Sequence, residues 1–112
     1  MIYREIVLPA TRDDVWDALT DAGRLEDWFA NDVELDLRPG GGARFRWANG
    51  EERHAIVTEI EPERRLAFDW DGDGTVEFTL TDDADGTRLV VVESSPAWST
   101  ALELQASALV RV

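Results

Sequence analysis

PATRDDVWDALTDAGRLEDWF, residues 9–29, is the stretch on which the reading of this chain turns. Thr11 is placed to cap a helix, with Asp14 three residues on completing a capping box. Asp13 and Asp14 put negative charge in the first turn, where the helix dipole favours it. Val15, Trp16 and Leu19 then share one face at helical spacing. Gly23 is expected to break the run, and Leu25, Trp28 and Phe29 repeat the i, i+3, i+4 pattern in a second short helix. A helix pair this close to the start, followed by almost nothing but strand signals, is an unusual order.

On the N-terminal side, Ile2, Ile6 and Leu8 alternate with Tyr3, Glu5 and Val7 in a first strand, with Arg4 the exception on the apolar side. On the C-terminal side six more strands are expected. Val33, Leu35 and Leu37 form one, closed by Pro39 and the glycines at 40–42. Ala43, Phe45 and Trp47 form the next. Asn49-Gly50 then signals a hairpin whose two turn positions both take positive φ. Over 53–60, His54, Ile56, Thr58 and Ile60 share one face, with Ala55 and Val57 on the other. Glu61-Pro62-Glu63 turns the chain into Leu66, Phe68 and Trp70, and residues 71–74 turn it into Val76, Phe78 and Leu80. After a turn at 82–86, Leu89 to Glu93 is uniformly apolar up to its last residue. Short turns between alternating strands read as an antiparallel meander with one wet and one buried face. Residues 96–112 are expected to form a closing helix, with Ser95 as cap and Pro96 in its first turn. Trp98, Leu102, Leu109 and Val112 make one stripe of it, and only Glu103 and Arg111 are charged. A helix apolar nearly all round is one that is buried.

Composition narrows the function classes. The chain has 112 residues, a size for one domain over 1–112, and no cysteine, so thiolate chemistry and disulfides are absent. Its formal net charge is -13 and every one of its eleven cations is arginine. Such a field repels phosphate backbones and anionic lipid heads, so neither nucleic acid nor a membrane surface is an expected partner. No apolar run approaches the roughly 20 residues that span a bilayer. The N-terminal residues lack a signal-peptide pattern, and a cytoplasmic location is expected.

The order strand, helix pair, meander, long helix resembles the helix-grip superfamily called START-like, SRPBCC or birch-pollen-allergen-like. Within it the chain resembles the branch named for the activator of the heat-shock-protein-90 ATPase. That branch reads "VWxALTDxxxLxxWF", then "PGGxxRF", then a strand ending in Glu-x-x-Pro-x-x-x-Leu. The matching residues are Pro9, Val15, Trp16, Ala18, Leu19, Thr20, Leu25, Trp28, Phe29, Pro39, Gly40, Gly41, Phe45, Glu59, Pro62 and Leu66. The resemblance runs over essentially the whole chain, and its motifs belong to the fold rather than to an active site. It implies an α+β fold: a curved antiparallel sheet of about seven strands, two short helices after the first strand, and a long C-terminal helix packed across the sheet. It also implies a cavity between sheet and helix that takes an apolar ligand. The chain is shorter than most members, with little between Ser94 and Trp98.

The candidate ligand-binding residues are Trp28, Phe45, Trp47, His54, Phe68, Trp70, Phe78, Trp98 and Leu102. Aromatic surface with a few polar groups suits a flat or lipidic molecule. The competing reading is a packed core, since aromatic rings dominate core burial. His54 is the only histidine, and an enzyme resembling polyketide cyclases would need it paired with an inward carboxylate such as Glu93. No catalytic residue is assigned. One histidine and no cysteine exclude the usual zinc sites. Asp69, Asp71, Asp73 and Gly74 match the start of a calcium loop, but Leu80 stands where the closing glutamate belongs, so a hairpin turn is the better account. No cofactor or metal is expected. The expected partner is an apolar small molecule, held by a monomer or homodimer without turnover. The alternatives are a cyclase-like enzyme and a co-chaperone that contacts the heat-shock-protein-90 ATPase by its surface.

Overall fold

The computed structural model describes residues 2–70 and 74–94. The closing helix expected over 96–112 and the turn residues 71–73 lie outside them. The elements are β1 (Ile2–Leu8), α1 (Arg12–Thr20), α2 (Ala22–Trp28), β2 (Asp32–Leu35), β3 (Gly42–Arg46), β4 (Glu52–Glu61), β5 (Arg65–Trp70), β6 (Gly74–Asp83) and β7 (Gly86–Glu93). They build one seven-stranded antiparallel sheet in the order β1-β7-β6-β5-β4-β3-β2. The meander from β2 to β7 is as the alternation implies. Because β1 and β2 are the two edges, the helix pair carries the chain across the whole sheet and packs on one face as it goes.

The helix pair differs from its sequence reading in two details. Thr11 is the N-cap of α1, but its hydroxyl donates to the Asp13 carboxylate and caps no backbone N–H, so the capping box does not form. The break between helices falls at Asp21, in extended conformation, and Gly23 lies inside α2. Asp21 serves as the real cap, its Oδ1 accepting from the Arg24 N–H at 3.0 Å. Val15, Trp16, Ala18, Leu19, Leu25 and Trp28 are buried. Two contacts tie the helices together: Trp28 Nε1 donates to the Ala18 carbonyl at 2.9 Å, and Arg24 Nη1 donates to the Asp14 carbonyl at 3.1 Å and its Oδ1 at 3.0 Å.

Two turns explain the registers. Gly50 N–H donates to the Trp47 carbonyl and Trp47 N–H to Glu51, closing a three-residue loop over 48–50. Only Gly50 (φ 89°) is left-handed there, so the expected two-residue turn with both φ positive is replaced by a one-residue-longer loop. At 61–64, Arg64 N–H donates to the Glu61 carbonyl, with Pro62 second and Glu63 at φ 63° third, the pattern of a type II turn.

β4 corrects the sequence reading most. His54, Ile56 and Thr58 face solvent, while Ala55 and Val57 are buried. The β4–β5 register shifts between Val57 and Glu59, leaving Thr58 as the extra residue of a bulge. That extra residue flips the phase and brings Ile60 back to the buried side. Val57, where the bulge begins, accepts from Gly40 N–H at 2.7 Å and donates to the Gly41 carbonyl at 2.8 Å. The glycine loop therefore fastens onto the strand at this point. Leu37, expected on a half-buried strand, lies beyond β2 and is exposed.

The inward side chains run in rows across the strands. Ile2, Glu93, Val76, Phe68 and Val57 form one row; Arg4, Val91, Phe78, Leu66 and Ile60 form the next. Val57, Leu66, Phe68, Val76, Phe78 and Val91 of these rows join the buried faces of α1 and α2 in one hydrophobic cluster, with Ile60 packed against it.

Candidate functional site

The inward-facing aromatics converge. Phe45 has no exposed surface and is their hub. Its ring stands edge-on to Phe29 at 5.3 Å between centroids and to Trp70 at 5.5 Å, and lies 6.4 Å from Phe68 and Trp47. Phe68 meets Phe78 at 6.3 Å and 88°. Edge-to-face pairs of this kind let the positive rim of one ring meet the negative face of the next. This geometry packs the rings against one another. Trp47 is half-buried at the border of the cluster, with its Nε1 donating to the Phe29 carbonyl at 2.7 Å. The Arg53 guanidinium stands 4.3 Å over the Trp70 ring, a cation–π contact. A hollow of about 250 Å³ opens beside Trp28, Phe29 and Trp47.

Six of the nine sequence-predicted site residues are thus brought together: Trp28, Phe45, Trp47, Phe68, Trp70 and Phe78. Trp98 and Leu102 lie outside the described residues. His54 does not join them. It is on the opposite face of the sheet, 53% exposed, with Nε2 3.0 Å from Glu52 Oε2. The cause is the phase of β4: with Ala55 inward, His54 must point out. Glu93 is not among the candidate ligand-binding residues. It faces inward with no exposed surface. The period-two series Leu89, Val91, Glu93 carries that information, but Val90 and Val92 on the other face are apolar too and hide the phase. With Glu93 inside and His54 outside, the acid–base pair required for a cyclase-like enzyme is not assembled.

The outer face is built from ion pairs. Arg44 reaches Glu34 at 2.9 Å, Glu52 at 3.2 Å and Asp32 at 3.4 Å, and Arg46 reaches Glu52 at 3.3 Å. The His54 hydrogen bond, then those from Arg44 and Arg46, hold the Glu52 carboxyl below the usual glutamate value. A depressed carboxyl value favours the folded state above the ordinary glutamate range, and this contribution is lost as pH falls through the lowered value. In a side-chain NMR titration Glu52 is therefore expected to protonate below the ordinary range, and His54→Ala to move its midpoint upward. An unmoved midpoint would mean that the hydrogen bond does not act in solution.

Two other hollows open at the surface. One of about 520 Å³ lies against Asp14, Asp17, Asp21, Gly23, Arg24 and Asp27, and one of about 360 Å³ lies on the outer face beside Arg44 and His54. Among the described residues no group of three or more His, Asp or Glu side chains could hold a metal ion. No helix among them is long and apolar enough to cross a membrane.

A seven-stranded antiparallel sheet whose first strand returns beside its last, with a helix pair crossing from edge to edge, is the START-like (SRPBCC) arrangement. The chain belongs to the family described as Activator of Hsp90 ATPase homolog 1-like protein, which matches residues 9–109. Among solved structures it is similar to CalU16 from Micromonospora echinospora, at 27% identity and TM-score 0.76, over 96% of this chain and 74% of that one. DynU16, described as a protein of the dynemicin biosynthetic locus, is 31% identical with TM-score 0.76, over 96% of this chain and 42% of its own. The Aha1 dimer from Colwellia psychrerythraea shares the fold at 21% identity and TM-score 0.76, over 96% of this chain and 89% of that one. No curated protein matches the chain.

Proposed function

We propose that this chain is a single-domain cytoplasmic binding protein that holds an apolar small molecule, without turning it over. The molecule lies between the inner face of the sheet and the apolar segment 96–112, packed across it as a helix. Its walls are Trp28, Phe45, Trp47, Phe68, Trp70 and Phe78, with Trp98 and Leu102 contributed from the helix. The observation that carries this reading is the continuous aromatic inner face, which the most apolar remaining segment of the chain is available to cover. Apolar area removed from water supplies about 25 cal/mol per Å² before the costs of association. The place of a 31% identical protein in a biosynthetic locus supports a small-molecule ligand. The co-chaperone reading rests on the family description alone, and the exposed His54 takes away the residue that the enzyme reading needed.

Native mass spectrometry of freshly purified protein, paired with tryptophan-fluorescence titration against 2-naphthol and 2-methylnaphthalene, tests the proposal. A co-purified apolar adduct, or saturable quenching by the probes that His54→Ala leaves unchanged, is the expected result. A bare-chain mass with no saturable response to either probe would remove it.

A further inference from the structure

We infer that the outer edge of β1 is an interface on which a second copy of this chain pairs, strand to strand, about a two-fold axis at Glu5. The two sheets then run on into one another with their aromatic faces on the same side. This surface is separate from the ligand site, and nothing in it depends on the binding reading above.

β1 ends the sheet, and among the described residues only β7 pairs with it. The phase of its main chain follows from the ladder. Across β6 and β7, Ser94 N–H donates to the Thr75 carbonyl at 3.0 Å. Bonding direction alternates residue by residue along an antiparallel strand. Ser94, Val92, Val90 and Arg88 therefore turn their N–H and C=O toward β6, and Glu93, Val91, Leu89 and Thr87 turn theirs toward β1. These last pair with Ile2, Arg4, Ile6 and Leu8. What remains is Tyr3, Glu5 and Val7, whose N–H and C=O point outward from the sheet edge. The register of β1 with β7 runs unbroken from Ile2 to Leu8, with no bulge and no proline. An unbroken edge of this kind is a template for another strand. The opposite edge is not: β2 has four residues, and its Val33 N–H is already taken by the Glu26 carboxylate at 3.0 Å.

Symmetry and charge select a second copy as the occupant. Laid antiparallel on itself about Glu5, the strand places Tyr3 opposite the partner's Val7, Glu5 opposite the partner's Glu5, and Val7 opposite the partner's Tyr3. Every outward N–H and C=O is then used, whereas sliding the strands either way leaves Val7 or Tyr3 without a bond. The outward side chains agree with the main chain. Tyr3 is 63% exposed and Val7 39%, two of the four large apolar side chains exposed among the described residues. In the pairing each covers the other, an aromatic ring on a β-branched side chain. Half-buried Val90 and Val92 on β7 continue the apolar strip behind them. Two chains of net charge -13 repel, so they meet best where charge is locally balanced. Arg4 and Glu5 of β1 cancel. Only Glu5 resists: at the axis it faces its own copy, and like charges directly opposite destabilise a pair. The Arg88 guanidinium and the Tyr3 hydroxyl, both bonded to its carboxylate, offset that repulsion.

Sedimentation velocity of the full chain over roughly 1 μM to 1 mM, the range in which an interface of modest area dissociates, is the first measurement. A reversible monomer–dimer equilibrium is expected. Val7→Lys should weaken it by about tenfold or more, because lysine on an edge strand blocks pairing, even though it lowers the net negative charge. Glu5→Gln should tighten it by about twofold to fivefold, the worth of removing a like-charge cross-strand pair. Amide hydrogen exchange reads the edge without any substitution. Tyr3, Glu5 and Val7 should exchange quickly in dilute protein and slow as concentration rises, while Arg4 and Ile6, bonded to β7, stay protected throughout. A monomer over the whole range overturns the inference. So does a dimer in which Tyr3, Glu5 and Val7 still exchange freely, because another surface then holds it. Dissociation constants that neither substitution moves overturn it as well. Should Val7→Lys not fold, the exchange pattern of the wild-type chain decides.

Discussion

Phe45→Ala is expected to lower the unfolding free energy by about 3–5 kcal/mol, the range for removing a buried phenylalanine side chain and leaving its cavity. Phe45 belongs at the upper part of that range because three separate elements close around it. Phe29 at the end of α2, Trp47 after β3 and Trp70 on β5 all rest on its ring. Collapse into the hole would require moving strands held by ladder hydrogen bonds as well as a helix tied through Trp28 to Ala18. With stabilities of ordinary domains at about 5–15 kcal/mol, the variant sits near the threshold of folding at ambient temperature. Phe45→Leu, which keeps most of the volume, should cost far less. Denaturant unfolding monitored by tryptophan emission measures both. A loss under about 1 kcal/mol for the alanine variant would show that the rings do not form a packed unit.

Gly86→Ala is expected to be nearly as damaging, for a backbone reason. Gly86 opens β7 at φ 138°, and a Cβ there would lie 2.0 Å from the Leu8 carbonyl oxygen and 3.0 Å from Ala10 N. The crowded atoms are main chain, and the Leu8 carbonyl already accepts from Ala10 N–H at 2.8 Å. Next to it the buried Thr87 hydroxyl donates to the Ala10 carbonyl at 2.8 Å. Relief therefore means prising the end of β1 away from β7. Backbone strain of about 1–3 kcal/mol and overpacking of about 1–3 kcal/mol combine to an expected loss of about 2–6 kcal/mol. Gly42→Ala is the matched control. It has nothing within 4 Å of its new methyl and no left-handed φ, so it should be neutral or slightly stabilising. Equal melting temperatures for the two variants would refute the close approach of β1 to β7.

Much of this was legible in the chain itself. The helix pair, the six-strand meander and the inward set Phe45, Phe68, Trp70 and Phe78 follow from periods of 3.6 and 2, because burial on one face imposes those periods on any amphipathic element. Strand pairing also follows, since short turns leave consecutive strands no other neighbour. What failed was phase. In β4 the alternation read from His54 to Ile60 is interrupted by one unpaired residue, Thr58, and nothing in RHAIVTEI marks the slip. In β7 the run LVVVE is apolar on both faces, so the period-two series that places Glu93 inward cannot be told from its alternative.

Among the described residues, the amino-acid order by itself therefore determined which segments become helix and strand, how the meander is threaded, and that an aromatic face exists. Only the assembled sheet decided on which side His54 and Glu93 fall, that β1 closes beside β7, and that Phe45 is the point where the rings meet. The physical reason is that periodicity is a local property of a strand. Its orientation is set by hydrogen-bond register with a neighbour distant in sequence, where one bulged residue reverses every side chain beyond it.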